Sequence, residues 1–75
     1  MNILQWNLII VRKEHGITQE KLAEVLGISE DAYGLKERGK VQFKADEMFI
    51  ISDYFDKTIE DIFLPVNFGK TEKLR

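Results

Sequence analysis

Nine residues, Lys36 to Lys44, read KERGKVQFK and set four basic side chains against one acid, although the 75-residue chain carries a net charge of −2. Clustered cations of this kind hold anions, phosphates above all, through charge-assisted hydrogen bonds. Lys36, Lys40 and Lys44 could equally form a solvated face, but their position beside a candidate surface helix favours anion contact. Just upstream stand Glu30 and Asp31, and acids dominate again from Asp46 to Asp61. Catalytic chemistry is a poor fit, because it needs titratable groups converging in a pocket. There is one histidine, His15, and no cysteine. Thiol chemistry, disulfides and Cys-based zinc sites are thereby excluded. The carboxylates are spread along solvent-facing helix positions, and no Gly-rich phosphate loop is present. The expectation is therefore no enzyme, no metal, no cofactor and no small-molecule ligand.

Helices must position these groups. A first helix is expected over residues 3–15, with Leu4, Leu8 and Val11 on one face. Ile3, Trp6, Ile9 and Ile10 widen its apolar surface, and Gly16 ends it. His15 then sits near the negative end of the helix dipole, as a helix-end residue and not a ligand. Thr18 caps a second helix that turns Leu22, Ala23 and Leu26 inward and stops at Gly27. Ile28 packs inward, and Ser29 caps a third helix over residues 30–37. A basic loop, 40–44, leads to a fourth helix at 45–55 whose buried face is Met48, Phe49, Ile51, Ser52 and Phe55. Thr58 and Asp61 resemble a capping box for a fifth helix at 59–63. Pro65 closes the helical region. The division is a domain over 1–64 and a tail over 65–75, which forms a short strand or frays.

The hydrophobic share of 44% and charged share of 32% describe a folded globule and exclude a disordered chain. No apolar run approaches the ~18 residues that span a bilayer. The N-terminal stretch has no basic segment and no cleavage site, so a cytoplasmic, membrane-free location is expected. A domain this small is marginally stable alone, which makes self-association a plausible support.

The spacing from Thr18 to Gly39 matches a helix-turn-helix layout. In that layout the first helix crosses a DNA backbone and the turn aims the second helix into the major groove. Gly27 permits the turn, Ala23 allows close helix approach, and Tyr33 anchors the second helix in the core. The chain resembles the Cro/C1-type helix-turn-helix family of phage and bacterial repressors. The matching residues are GITQEKLA (16–23), LGIS (26–29), KERGK (36–40) and TIEDIF (58–63). The resemblance covers residues 4–63.

What the resemblance implies is an all-α, five-helix domain of the lambda-repressor type that binds double-stranded DNA, usually as a homodimer. By this resemblance Gln19 bonds a phosphate and braces the recognition helix. Ser29, Glu30, Asp31 and Leu35 fall at its DNA-facing start and base-reading positions. Arg38 and Lys40 fall in a phosphate-contacting loop, which Gln42 and Lys44 extend. Arg12 and Glu37 correspond to a structural ion pair between the first helix and the end of the recognition helix. Departures are Glu30 and Asp31, where Arg, Gln, Ser or Thr is usual, Arg38 in place of Asn, and Lys36 in place of an aliphatic residue. Gly34 also costs about 1 kcal/mol of helix propensity. Asp31 reads better as a helix-dipole residue than as a base contact. For Glu30 the two roles stand level, since a glutamate accepts from cytosine N4. The expected function is a transcriptional regulator, a repressor binding an inverted repeat as a homodimer. The alternative is a protein-interaction module on the same fold, an antitoxin or antirepressor partner. Two sets of apolar residues are candidates for a partner surface: Trp6 with Ile10, and Ile50 and Tyr54 with Phe63 and Phe68.

Overall fold

In the computed structural model, which describes residues 4–63, five helices follow one another. They are α1 (Trp6–Glu14), α2 (Gln19–Leu26), α3 (Glu30–Glu37), α4 (Ala45–Phe55) and α5 (Ile59–Ile62). Among the described residues there is no strand. Ile3 and the 65–75 tail, with Phe68, lie outside the described residues.

The helix starts are written in side chains. Thr18, Ser29 and Thr58 each accept a hydrogen bond from the backbone N–H three residues on, at 3.0, 3.1 and 3.0 Å. Each satisfies one of the donors a helix leaves open at its first turn. The Asp61 carboxylate accepts in turn from the Thr58 N–H and closes a capping box.

The ends are equally regular. After α2, Gly27 takes φ 74°. Its N–H bonds the Glu24 carbonyl, and the Ile28 N–H bonds the Ala23 carbonyl. After α3, Gly39 takes φ 81°, and the Gly39 and Lys40 amides bond the Lys36 and Leu35 carbonyls. This paired pattern closes a helix and reverses the chain, and glycine enters the left-handed region without steric cost. Asp56 adopts the same conformation after α4 at φ 57°.

α1 begins three residues later than its apolar spacing predicts. The Gln5 N–H donates to the Glu37 carbonyl at 3.0 Å, so the chain before Trp6 is tied to the end of α3 instead of continuing the helix. Leu4 is correspondingly exposed.

Leu8, Leu22, Tyr33, Ile51 and Ile62, one from each helix, are fully buried at the centre. Ile17 and Ile28, which follow Gly16 (φ 67°) and Gly27, pack against this core. Phe43 joins it from the α3–α4 loop, edge-on to both Tyr33 and Phe63 at centroid distances of 6.0 and 5.4 Å.

Two apolar assignments change. Phe49 is 64% exposed, not buried. It lies two residues from Ile51, about 200° around a helix of 3.6 residues per turn. The inward place one turn before Ile51 belongs to Glu47. Phe63 is buried against Phe43 and offers no partner surface. Trp6, Ile10, Ile50 and Tyr54 are exposed.

Candidate nucleic-acid interface

α2, the turn at Gly27 and α3 form the helix-turn-helix, and a buried carboxylate holds it to α1. Glu37 sits at the last position of α3 with 3% of its surface exposed. Arg12 Nε donates to its Oε2 at 2.8 Å and Arg12 Nη2 to its Oε1 at 3.2 Å. The Tyr33 hydroxyl donates to Oε2 at 2.9 Å, and Gln19 Nε2 donates to Oε1. Arg12 Nη1 spends its bond on the Ile17 carbonyl at 3.0 Å. Three helices therefore meet on one carboxylate, and both of its oxygens are satisfied. Burial first, and the Glu37 carboxylate second, push the Tyr33 phenol above its usual range. It stays protonated and donates.

A second buried pair fixes the loop after α3. Lys36 Nζ donates to Glu47 Oε1 at 2.8 Å and to the Gln42 carbonyl at 3.4 Å. The same Glu47 oxygen accepts the Lys44 N–H at 2.8 Å. Burial alone would raise the Glu47 carboxyl. The hydrogen bonds from Lys36 and Lys44, with their charges, outweigh it and hold the group below the ordinary glutamate range. Lys36 is thus buried, over the Phe43 ring, and is not available to a phosphate. The run of cations from Lys36 to Lys44 points instead to the anion-binding face. The opposing signal is the spacing Tyr33, Lys36, Glu37, which is the inward stripe of α3.

With Lys36 and Glu37 withdrawn, the exposed positive charge between residues 30 and 44 is Arg38, Lys40 and Lys44. Ser29, Glu30, Asp31, Leu35 and Gln42 are also exposed, and Gln19 is half-buried. Gln19, Glu30, Asp31, Gly34, Leu35 and Arg38 line one shallow concave surface along α3. Lys40, Gln42 and Lys44 lie outside that concavity on the following loop. Glu30 and Asp31 occupy the first turn of α3, beside the Ser29 cap, where the helix dipole favours acids. His15 closes α1, its Nδ1 2.9 Å from the Val11 carbonyl and its ring edge-on to Phe55. Among the described residues no group of His, Asp or Glu is arranged to hold a metal. No helix of the described residues is long and apolar enough to cross a membrane.

A family model described as helix-turn-helix matches residues 8–62, most of the 75-residue chain. No curated protein and no solved structure matches the chain significantly. The match begins at the first buried residue of α1 and ends at the last residue of α5, so it spans nearly all of the packed unit just described. The chain belongs to the Cro/C1-type helix-turn-helix family of DNA-binding transcription regulators.

Proposed function

We propose that this chain is a repressor that binds an inverted-repeat operator as a homodimer. The observation that carries the reading is the exposed face of α3, seated rigidly by the Glu37 network and followed by Arg38, Lys40 and Lys44 on the surface. α3 lies in the major groove, with Glu30 and Leu35 toward base edges and Asp31 beside them serving the helix dipole. Lys40, Gln42 and Lys44 lie along the phosphates, and Gln19 and Ser29 position the groove entry. The open N–H groups at the start of α2 face a phosphate as well. A two-fold dimer sets its two recognition helices about 34 Å apart, one turn of DNA. Such a protein works in the cytoplasm without a cofactor.

Selection of bound sites from random duplex DNA tests the reading. The expected product is an enriched inverted repeat bound by two chains. No enriched repeat, together with no binding to bulk DNA at low salt, would refute it.

The second reading is a protein-interaction module on the same fold. Its support is the exposure of Trp6, Ile10, Phe49, Ile50 and Tyr54 and the acidic start of α3. Neutralising Arg38 and Lys40 separates the two. Lost DNA binding supports the regulator, whereas unchanged DNA behaviour with loss of a protein partner supports the module.

A further inference from the structure

We propose that Arg38 reads a guanine edge in the major groove, instead of holding a phosphate, and that Gly34 exists to seat its guanidinium. The inference rests on the DNA-binding reading above and assigns one residue of that surface a chemical target.

Arg38 is the C-cap of α3 and keeps right-handed backbone angles, φ −82° and ψ −1°. Side chains on a helix lean toward its N-terminus and cover the turn before them. Arg38 therefore folds back over Gly34, one turn earlier. A Cβ at Gly34 would lie 3.1 Å from Arg38 Nη1, 3.8 Å from Cζ and 3.9 Å from Nη2. The glycine is the floor on which the guanidinium rests. Its cost in helix propensity now has a counterpart: the charge is drawn from the end of the helix to its middle.

The surroundings decide what it reads. The stripe of α3 that lines the concave surface is Glu30, Asp31, Gly34, Leu35 and Arg38, with Gly34 itself buried beneath the Arg38 side chain. Glu30 and Asp31 only accept hydrogen bonds when ionised, and Gly34 and Leu35 have no side-chain donor. Gln19 stands on α2 and commits one of its two amide N–H donors to Glu37. Arg38 is thus the side-chain donor of the stripe, and among the described residues it has no ion-pair partner. Phosphates flank a groove, and a group meant for them belongs on the loop, where Lys40 and Lys44 stand. A planar donor fork at mid-helix faces base edges. Its match there is guanine, whose O6 and N7 both accept.

The test compares the wild-type protein with Arg38→Gln, Arg38→Lys and Gly34→Ala on the enriched duplex and on the same duplex changed at one base pair per half-site. Arg38 is exposed, so its variants keep the fold, which circular dichroism checks. Wild type is expected to prefer guanine at that position by about 5- to 150-fold. Arg38→Gln loses the preference and binds both duplexes alike. Arg38→Lys keeps the charge but lacks the fork, so it loses most of the preference with an unchanged salt slope. Gly34→Ala pushes the guanidinium off its seat by a few tenths of an ångström and weakens the same preference. If Arg38→Gln instead weakens both duplexes equally and lowers the salt slope by about 1, Arg38 is a phosphate contact and the proposal is overturned. No effect of Arg38→Gln overturns it too, and an undiminished preference in Gly34→Ala overturns the role given to Gly34. A wild-type protein that enriches no site at all would instead refute the DNA-binding reading, before any variant is compared.

Discussion

Arg12 and Glu37, 25 residues apart, form a two-point pair in which Nε meets Oε2 at 2.8 Å and Nη2 meets Oε1 at 3.2 Å. The pair fixes the C-terminal end of α3 relative to α1, and so sets the attitude of the proposed recognition helix. Removing one partner leaves a buried charge without compensation, at a cost of about 3–5 kcal/mol. Against a total stability of about 5–15 kcal/mol, that is a large share. Glu37→Gln is expected to lower the unfolding free energy obtained from urea titration by that amount. The double variant Arg12→Met with Glu37→Met should lose clearly less than the two single losses combined. Additive losses in the double-mutant cycle would show that the pair is not a coupled unit.

Glu47 makes the fold acid-sensitive. Its carboxyl is held below the ordinary value of about 4.5 when folded, so the unfolded chain takes up a proton first. Stability contributed by Glu47 is present above the unfolded value and is lost as pH falls through the folded one. Urea unfolding followed from pH 7 to pH 3 should show stability falling below about pH 4.5. In Glu47→Gln that part of the slope should vanish, with stability already lower at pH 7 because Lys36 is left buried without its anion. A slope unchanged by Glu47→Gln would locate the acid sensitivity elsewhere.

Two glycine-to-alanine changes should differ in sign. At Gly27 nothing stands within 4 Å of a new Cβ, but φ is 74°. The cost there is backbone strain alone, about 1–2 kcal/mol. At Gly34 the backbone is helical and alanine gains about 1 kcal/mol of propensity, offset by the displacement of a flexible guanidinium. Thermal melts should therefore show a lower Tm for Gly27→Ala and an unchanged or higher Tm for Gly34→Ala. A drop for Gly34→Ala as large as that for Gly27→Ala would mean that Arg38 cannot yield.

Much of this fold is legible in the sequence because it is written locally. Thr18, Ser29 and Thr58 mark three helix starts, and the glycines at 16, 27 and 39 mark three ends. The bounds of α3, between Ser29 and Gly39, follow from such signals. Where local signals are silent, the reading slips. Phe49 is apolar and helical, and only its angle from Ile51 reveals that it faces out. Lys36 and Glu47 are charged, so composition places them on the surface, yet each makes the other's burial possible. Gly34 reads as a propensity defect until the Arg38 side chain is seen lying on it. The stripe that turns Lys36 inward is present in the spacing, but which charge meets it there, and which side chain rests on Gly34, are settled only in three dimensions.

Lys36, Lys40 and Lys44 should separate in salt dependence. Each phosphate contact adds about 0.9 to the slope of log K against log salt concentration. Lys40→Gln and Lys44→Gln are expected to flatten the slope by about 1 each, as measured by fluorescence anisotropy on duplex DNA. Lys36→Met combined with Glu47→Met, which removes the buried pair as a unit, should leave the slope unchanged. A flatter slope in that double variant would return Lys36 to the phosphate-binding set.

The most direct measurement is a titration of ¹⁵N-labelled protein with a short duplex at low salt, followed by amide chemical shifts. It requires no knowledge of the operator, because phosphate contact is independent of sequence. The predicted result is perturbation at Gln19 and Glu20, across Ser29 to Leu35, and from Arg38 to Lys44, with Trp6, Ile10, Phe49 and Tyr54 undisturbed. Shifts confined to those exposed apolar residues of α1 and α4, or no shifts with DNA in excess, would contradict a DNA-binding surface built on α3.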